Sequence, residues 1–289
     1  MLNNEEALTT EEAKQTLGAA IEAANNAIAE GLTLETYKAQ NEALNAAIKG
    51  GHDAMSAASA FETLVTEHIN NFDTGVYDPY SSKAEYGKFQ DLLLDEMEPA
   101  LAQSLESIKW IEDATMKIDK AYATMVSTDI DFTGASINAP ADVTAMIQSP
   151  SFSVPDPNDP SKELSSIKGW VTTEGNNANA TGAQNYEFYV GKGDADIHQV
   201  LYALPKGYYR LVYNGFYRAG GAVEAAVAHR DSTDARNAKV YVEAGDGKWS
   251  KELASIFDHV NEYKYDGGDF ALADSLFPES DKLYHFVVN

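Results

Sequence analysis

The sequence predicts a multidomain α plus β chain: an antiparallel helical bundle over residues 1–133, then an antiparallel β-sandwich over 134–289. Three observations carry this. The first part is rich in Ala, Glu, Leu and Lys, with apolar residues recurring every three or four positions, which is the helical period. Before residue 134 there are two prolines (Pro79, Pro99), six glycines and five tyrosines; the remainder holds seven, fourteen and eleven. Beyond that point short runs rich in Tyr and Val alternate between apolar and polar residues, the two-residue period of a half-buried strand.

The elements follow in order. In "EEAKQTLGAAIEAANNAIAEG", Leu17, Ile21, Ala24 and Ile28 share a helical face, and Gly31 is a natural stop. "LETYKAQNEALNAAIKGG" places Tyr37, Leu44, Ala47 and Ile48 on one face and is expected to end at Gly50-Gly51. The two segments align at an offset of 27, Leu17-Gly-Ala-Ala-Ile21 against Leu44-Asn-Ala-Ala-Ile48, which suggests repeated helical hairpins. Further helices are expected over about 53–71, 81–96 and 98–126, with "DPYSS" leading into the fourth and Pro99 in the first turn of the fifth. Met97, Met116, Tyr122 and Met125 fall on the apolar stripe and are expected in the core.

In the second part, "SPSFSVPDPNDPSKELSSIKGW" reads as a short strand followed by a proline-broken acidic loop. "NYEFYV", "DIHQVLYAL", "GYYRLVYNGFYR", "AKVYVE", "KWSKEL" and "KLYHFVV" read as strands. In the longest of these, Tyr209, Leu211, Tyr213, Gly215 and Tyr217 point one way and Tyr208, Arg210, Val212, Asn214, Phe216 and Arg218 the other. A half-buried antiparallel strand reached through a Leu-Pro-Lys-Gly turn accounts for most of these rings without a ligand.

Composition narrows function. Forty-five acidic residues against 21 basic give a formal charge of −24, a surface that repels nucleic-acid phosphates and anionic headgroups. No apolar run is long enough to cross a bilayer, and "MLNNEEALTTEEAK" lacks the basic and apolar regions of a signal peptide. With no cysteine there is no disulfide, thiol nucleophile or thiolate metal site. The six histidines form no H-E-x-x-H, and there is no nucleophile elbow, P-loop or dinucleotide fingerprint. Asp258-His259, on a predicted helix start, reads as solvated surface. Two glycosidase carboxylates need an enclosed cleft, which neither a small bundle nor one sandwich with short loops offers. The chain is read as non-catalytic.

The order "ADVTAMIQSPSF" (141–152), "GW" (169–170), "DIHQVLYALPKGYYRL" (196–211), "GFYRAG" (215–220) and "NAKVYVEAG" (237–245) resembles a β-sandwich module. That module recurs in surface and secreted proteins of Bacteroides-like bacteria and is related to the galactose-binding-like jelly rolls of carbohydrate-binding modules. It commonly follows an alanine-rich segment resembling FIVAR-type repeats. The resemblance covers about 136–289 well and the helical part only loosely. It implies a jelly-roll-like fold, an extracellular or cell-surface location with the export signal absent from this chain, and a glycan or polysaccharide ligand. Such modules usually continue beyond a strand like "LYHFVVN", so it also implies truncation at the C-terminus.

A sugar site needs an aromatic face to stack on a pyranose and planar polar groups to bridge its hydroxyls. The candidates are Trp170, beside the polar loop holding Asn176, Asn177 and Asn179, and the Tyr217–Arg218 end of the long strand, with His229 and Arg230 beyond. Each has a plainer reading: Trp170 as core lining, Arg218 as the partner of an acid. Galactose-binding-like sandwiches often carry structural calcium. Asp156, Asn158, Asp159 and Glu163 in one run, and Asp231, Asp234 and Asn237 in another, are hard oxygen ligands, against the plain reading of acidic surface loops. The function expected is weak glycan binding at the loop end of the sandwich, with the bundle as spacer or protein-contact surface. Two alternatives stand: a structural or adhesion spacer with no small ligand, and an accessory region of a larger polysaccharide-degrading enzyme.

Overall fold

The computed structural model describes residues 9–156, 158–172, 177–179, 187–189, 196–213, 215–217, 222–235, 238–245, 247–255, 257–258 and 284–288, with backbone alone at 160, 177–179, 187–189, 216–217, 222–223, 226 and 284–288. Helices fill the first half and small sheets follow. The chain divides into two compact units, Met1–Leu204 and Pro205–Asn289.

Helix α1, Glu11–Glu30, starts on Thr10, whose hydroxyl accepts the Ala13 N–H, and carries Glu11 and Glu12 where the helix dipole favours negative charge. The Leu105 and Glu106 carbonyls accept the N–H groups of Glu11 and Glu12, so its otherwise unpaired first donors are satisfied by a distant segment. Gly31, at φ +94°, ends it. Helix α2, Leu34–Asp73, opens on a reciprocal Thr33–Thr36 cap and runs for 40 residues. This corrects the break expected at Gly50-Gly51. Gly51 is buried on a stripe with Ala47, Ala54 and Ala58, where small residues admit a close neighbour, and that packing outweighs the about 1 kcal/mol each glycine costs a helix. Ile28, Tyr37 and Ile48 are exposed on faces expected to be covered; Leu17 and Ala47 are buried there.

The two later helices are also more broken than their periodicity implies. A short turn over Asp78–Tyr80 precedes α3, Ala84–Asp91, which passes through a π turn at Leu92–Met97 into α4, Glu98–Gln103. The helix expected over 98–126 is interrupted at Ser104, φ 141°, and resumes as α5, Ile108–Ser127, capped by the Ser107 hydroxyl. The interruption inserts Leu105 into the core at 0% exposure. Met97 and Met125 are buried and Tyr122 packs against the core, as expected; Met116 is 45% exposed, contrary to expectation. Phe61, Phe89, Leu93 and Ile118 complete an interior in which Phe61 meets Trp110 edge-on at 5.6 Å.

After α5 the chain stays on the bundle: Val143, Met146, Tyr202 and Leu204 pack with Ala123 and Val126 of α5. Strands β1, Ser153–Asp156, and β2, Asp159–Ser165, form an antiparallel hairpin, so the acidic run expected to be a loop is itself the second strand. Short β3, Val171–Thr172, pairs with β6, Ile197–His198, and β4, Asn177–Asn179, with β5, Glu187–Tyr189. Of "DIHQVLYAL" only Ile197–His198 is strand; Tyr202 and Leu204 leave the sheet to pack on α5.

In the second unit, β7, Tyr209–Tyr213, pairs antiparallel with β12, Tyr284–Val288. Tyr209, Leu211 and Tyr213 are half-buried while Arg210 and Val212 are exposed, so the predicted alternation holds. Strand β8, Phe216–Tyr217, pairs in parallel with β11, Ala254–Ser255, and β9, Lys239–Ala244, forms a hairpin with β10, Gly247–Glu252. Helix α6, Ala222–Arg230, stands where the tyrosine-rich grammar gave no helix; its "AVEAAVAHR" is locally a good helix former.

Candidate functional site

A partly buried aromatic pair in the first unit is built around Trp170. Two residues with side chains, Ser149 (φ 43°) and Phe152 (φ 55°), hold left-handed backbone, a conformation that costs of order 1 kcal/mol or more and clusters at functional sites. The turn closes through Phe152 N–H to Ser149 O (2.9 Å), and Ser166 N–H donates to Phe152 O (2.8 Å), which lays β2's end beside it. Trp170 Nε1–H donates to Ser149 O at 3.2 Å. The Trp170 and Phe152 rings lie 4.9 Å apart, inclined at 41°, and both side chains are half-buried.

Gly169 places the tryptophan. At φ +80°, a Cβ there would lie 2.5 Å from the Gln148 side chain, and 2.9 Å from Gln199 Nε2. Gln199 in turn clasps the Gln148 backbone: Oε1 accepts its N–H at 2.8 Å and Nε2 donates to its carbonyl at 3.1 Å. Next to the tryptophan, Lys168 forms an ion pair with Glu67 of α2, tying the loop to the bundle.

Beyond that contact, inside the bundle, His68 Nδ1 lies 2.7 Å from Tyr77 Oη, and Asn71 Nδ2 donates to the same oxygen at 3.0 Å. His68 Nδ1 and Tyr77 Oη share one hydrogen bond whose donor depends on the imidazole tautomer. Burial, reinforced by the Lys168 charge, holds the His68 pKa down to about 4, and burial raises that of Tyr77. Phe89 and Tyr122 enclose the pair, so it is a core feature closed to ligand.

The other candidates fall as follows. Asn177 is on β4 of the first unit and Tyr217 on β8 of the second, and both side chains lie outside the described residues, as do Asn176, Arg218 and Asn237. Four of the five acids considered for calcium have a local partner. Asp156 accepts from Asn158 N–H, Asp159 from Ser161 and from Lys162 at 2.8 Å, and Asp231 from Arg230; Asp234 holds His229 at 3.0 Å. Among the described residues no group of three His, Asp or Glu is placed to hold a metal ion. Asp258 sits in a turn, accepting from Ser255 N–H and lying 3.5 Å from His229; His259 lies outside the described residues.

A groove of about 400 Å³ between α3 and α5 offers no open ring, since Phe89 beneath it is buried, and Lys88 and Lys117 on its rim already face Glu85 and Glu96. Phe152 was not singled out by the sequence; its signal was an aromatic set among serines, "SPSFS", just ahead of a strand.

Comparison with family models, with curated proteins and with solved structures gives no match to this chain. Among the described residues no helix is long and apolar enough to cross a membrane.

Proposed function

We propose that the chain is a non-catalytic carbohydrate-binding part of a surface or secreted protein, with the later strand pairs belonging to a jelly-roll-like sandwich. The observation that carries this reading is the partly buried Trp170–Phe152 ring pair on a strained turn. Two inclined rings offer a pyranose a hydrophobic step, and because Trp170 Nε1–H is committed to Ser149 O, the indole contributes its face rather than a hydrogen bond. Asn176 and Asn177, close behind Trp170 in the chain, are the residues proposed to bridge hydroxyls beside it; Tyr217 as the stacking ring with Arg218 as the bridge is a separate candidate in the second unit. Shallow, wet sites of this kind bind in the ~0.1 to 1 mM range, about −4 to −5.5 kcal/mol.

A second reading, spacer or adhesion protein without a small ligand, is favoured by the length of α2, about 60 Å for its 40 residues. A glycan array probed with the whole chain separates the two: reproducible binding to a defined glycan class supports the first, and silence across the array supports the spacer.

A further inference from the structure

The tip of the α1–α2 hairpin is apolar without being buried. From Gly18 to Ala46 no residue is buried, and Ile28, Leu32, Leu34 and Tyr37 are 61, 47, 72 and 56% exposed. These four side chains present roughly 500 Å² within ten residues of chain, as large as the biggest apolar patch on an ordinary monomer. The hairpin's own seam does not use them; it runs through half-buried Ile21, Ala24, Ala27 and Leu44. Charge is also sparse here. Residues 23–34 hold a single ionisable side chain, Glu30, in a chain of which 23% is charged.

We propose that this tip is an interface between two copies of the chain. A closed twofold contact requires a patch complementary to itself. This one has an apolar centre and both signs of charge at its margin: Lys38, Glu30, Glu35 and Glu42 make no ion pair among the described residues, so the lysine of each copy is available to the carboxylates of the other. Two tips fully covering these four residues on each copy withdraw at most about 1,000 Å² of accessible surface, and their polar margins add toward the ~1,200 to 2,000 Å² of a stable interface. The sparse charge lets two strongly acidic molecules approach at this end against less repulsion than their net −24 would otherwise impose.

Sedimentation of the full chain between ~1 and ~200 μM tests this. The weight-average mass is expected to climb from 31.4 kDa toward twice that value, while a Leu34→Glu/Tyr37→Glu variant stays at 31.4 kDa with its helical circular dichroism unchanged. The chain has no cysteine, so single substitutions report contact independently: under mild oxidation Leu34→Cys is expected to form disulfide-linked dimer at least ~5-fold faster than Ile137→Cys, whose site is equally open at 78% exposure. A wild-type monomer at every concentration, a dimer that survives the double glutamate variant, or equal cross-linking at residues 34 and 137 would each overturn the proposal.

Discussion

The bundle and the β7–β12 ladder solve the same problem, hiding large apolar side chains, to different extents. The largest fully buried side chains described, Phe61, Phe89, Leu93, Met97, Leu105, Ile118 and Met125 among them, all come from the helical half. In β7 one face, Tyr209, Leu211 and Tyr213, is only partly buried, and among the described residues its ladder holds β7 and β12. Helices satisfy their backbone internally and need only a neighbour for one stripe, whereas a strand pair has one face to bury and edges to cover, which takes a second layer. Among the described residues, then, the large fully buried side chains lie in the helical part, and the described strands show pairing.

Replacing one residue from each region measures that difference. Phe89→Ala is expected to cost about 4 kcal/mol in urea unfolding followed by helical circular dichroism, from lost burial plus a cavity. Leu211→Ala is expected to cost about 1 kcal/mol in its own unit's transition, because that side chain is already partly exposed. Equal costs would erase the contrast.

Acid sharpens it from the bundle's side. His68 is held neutral by burial, with a pKa of about 4 against 6.5 in the unfolded chain, so the unfolded chain takes up the proton first as pH falls. Its contribution to stability is complete above pH 6.5 and is lost between there and pH 4, about 3 kcal/mol in all. Urea midpoints over that range should fall more steeply for the wild type than for His68→Phe, which cannot titrate. Parallel profiles would refute the buried neutral imidazole.

The smallest effect concerns α2. Gly50 lies in its interior with nothing within 4 Å of where a Cβ would stand, so Gly50→Ala is expected to stabilise the bundle by about 0.5 to 1 kcal/mol in the same urea assay. A loss instead would mean that the glycine serves a contact.

These cases also mark what the sequence let one read. The first helix was legible from Leu17 and Gly31, and β7 from the alternation around Tyr209, because both signals are local. The continuation of α2 through Gly50-Gly51 was not, since tertiary burial of the Ala47–Gly51–Ala54 stripe overrode a local stop signal. The interruption at Ser104 was hidden for the same reason: periodicity says nothing of Leu105 and Glu106 lending their carbonyls to the start of α1. In the candidate site Trp170 was legible as an aromatic beside a polar loop, but Phe152 and the Gln148–Gln199 clasp were not. They meet Trp170 through a left-handed turn and a contact 51 residues apart in the chain.

The sugar-binding reading rests on the face of Trp170, and titration of Trp170→Phe and Trp170→Ala with a glycan selected on the array tests it most directly. Trp170→Phe keeps a stacking face while losing the hydrogen bond to Ser149 O, and is expected to bind within about 3-fold of wild type; Trp170→Ala is expected to weaken binding by at least ~10-fold, both with the circular dichroism of the folded chain. Undiminished binding by Trp170→Ala, or equal losses in the two variants, would contradict the account.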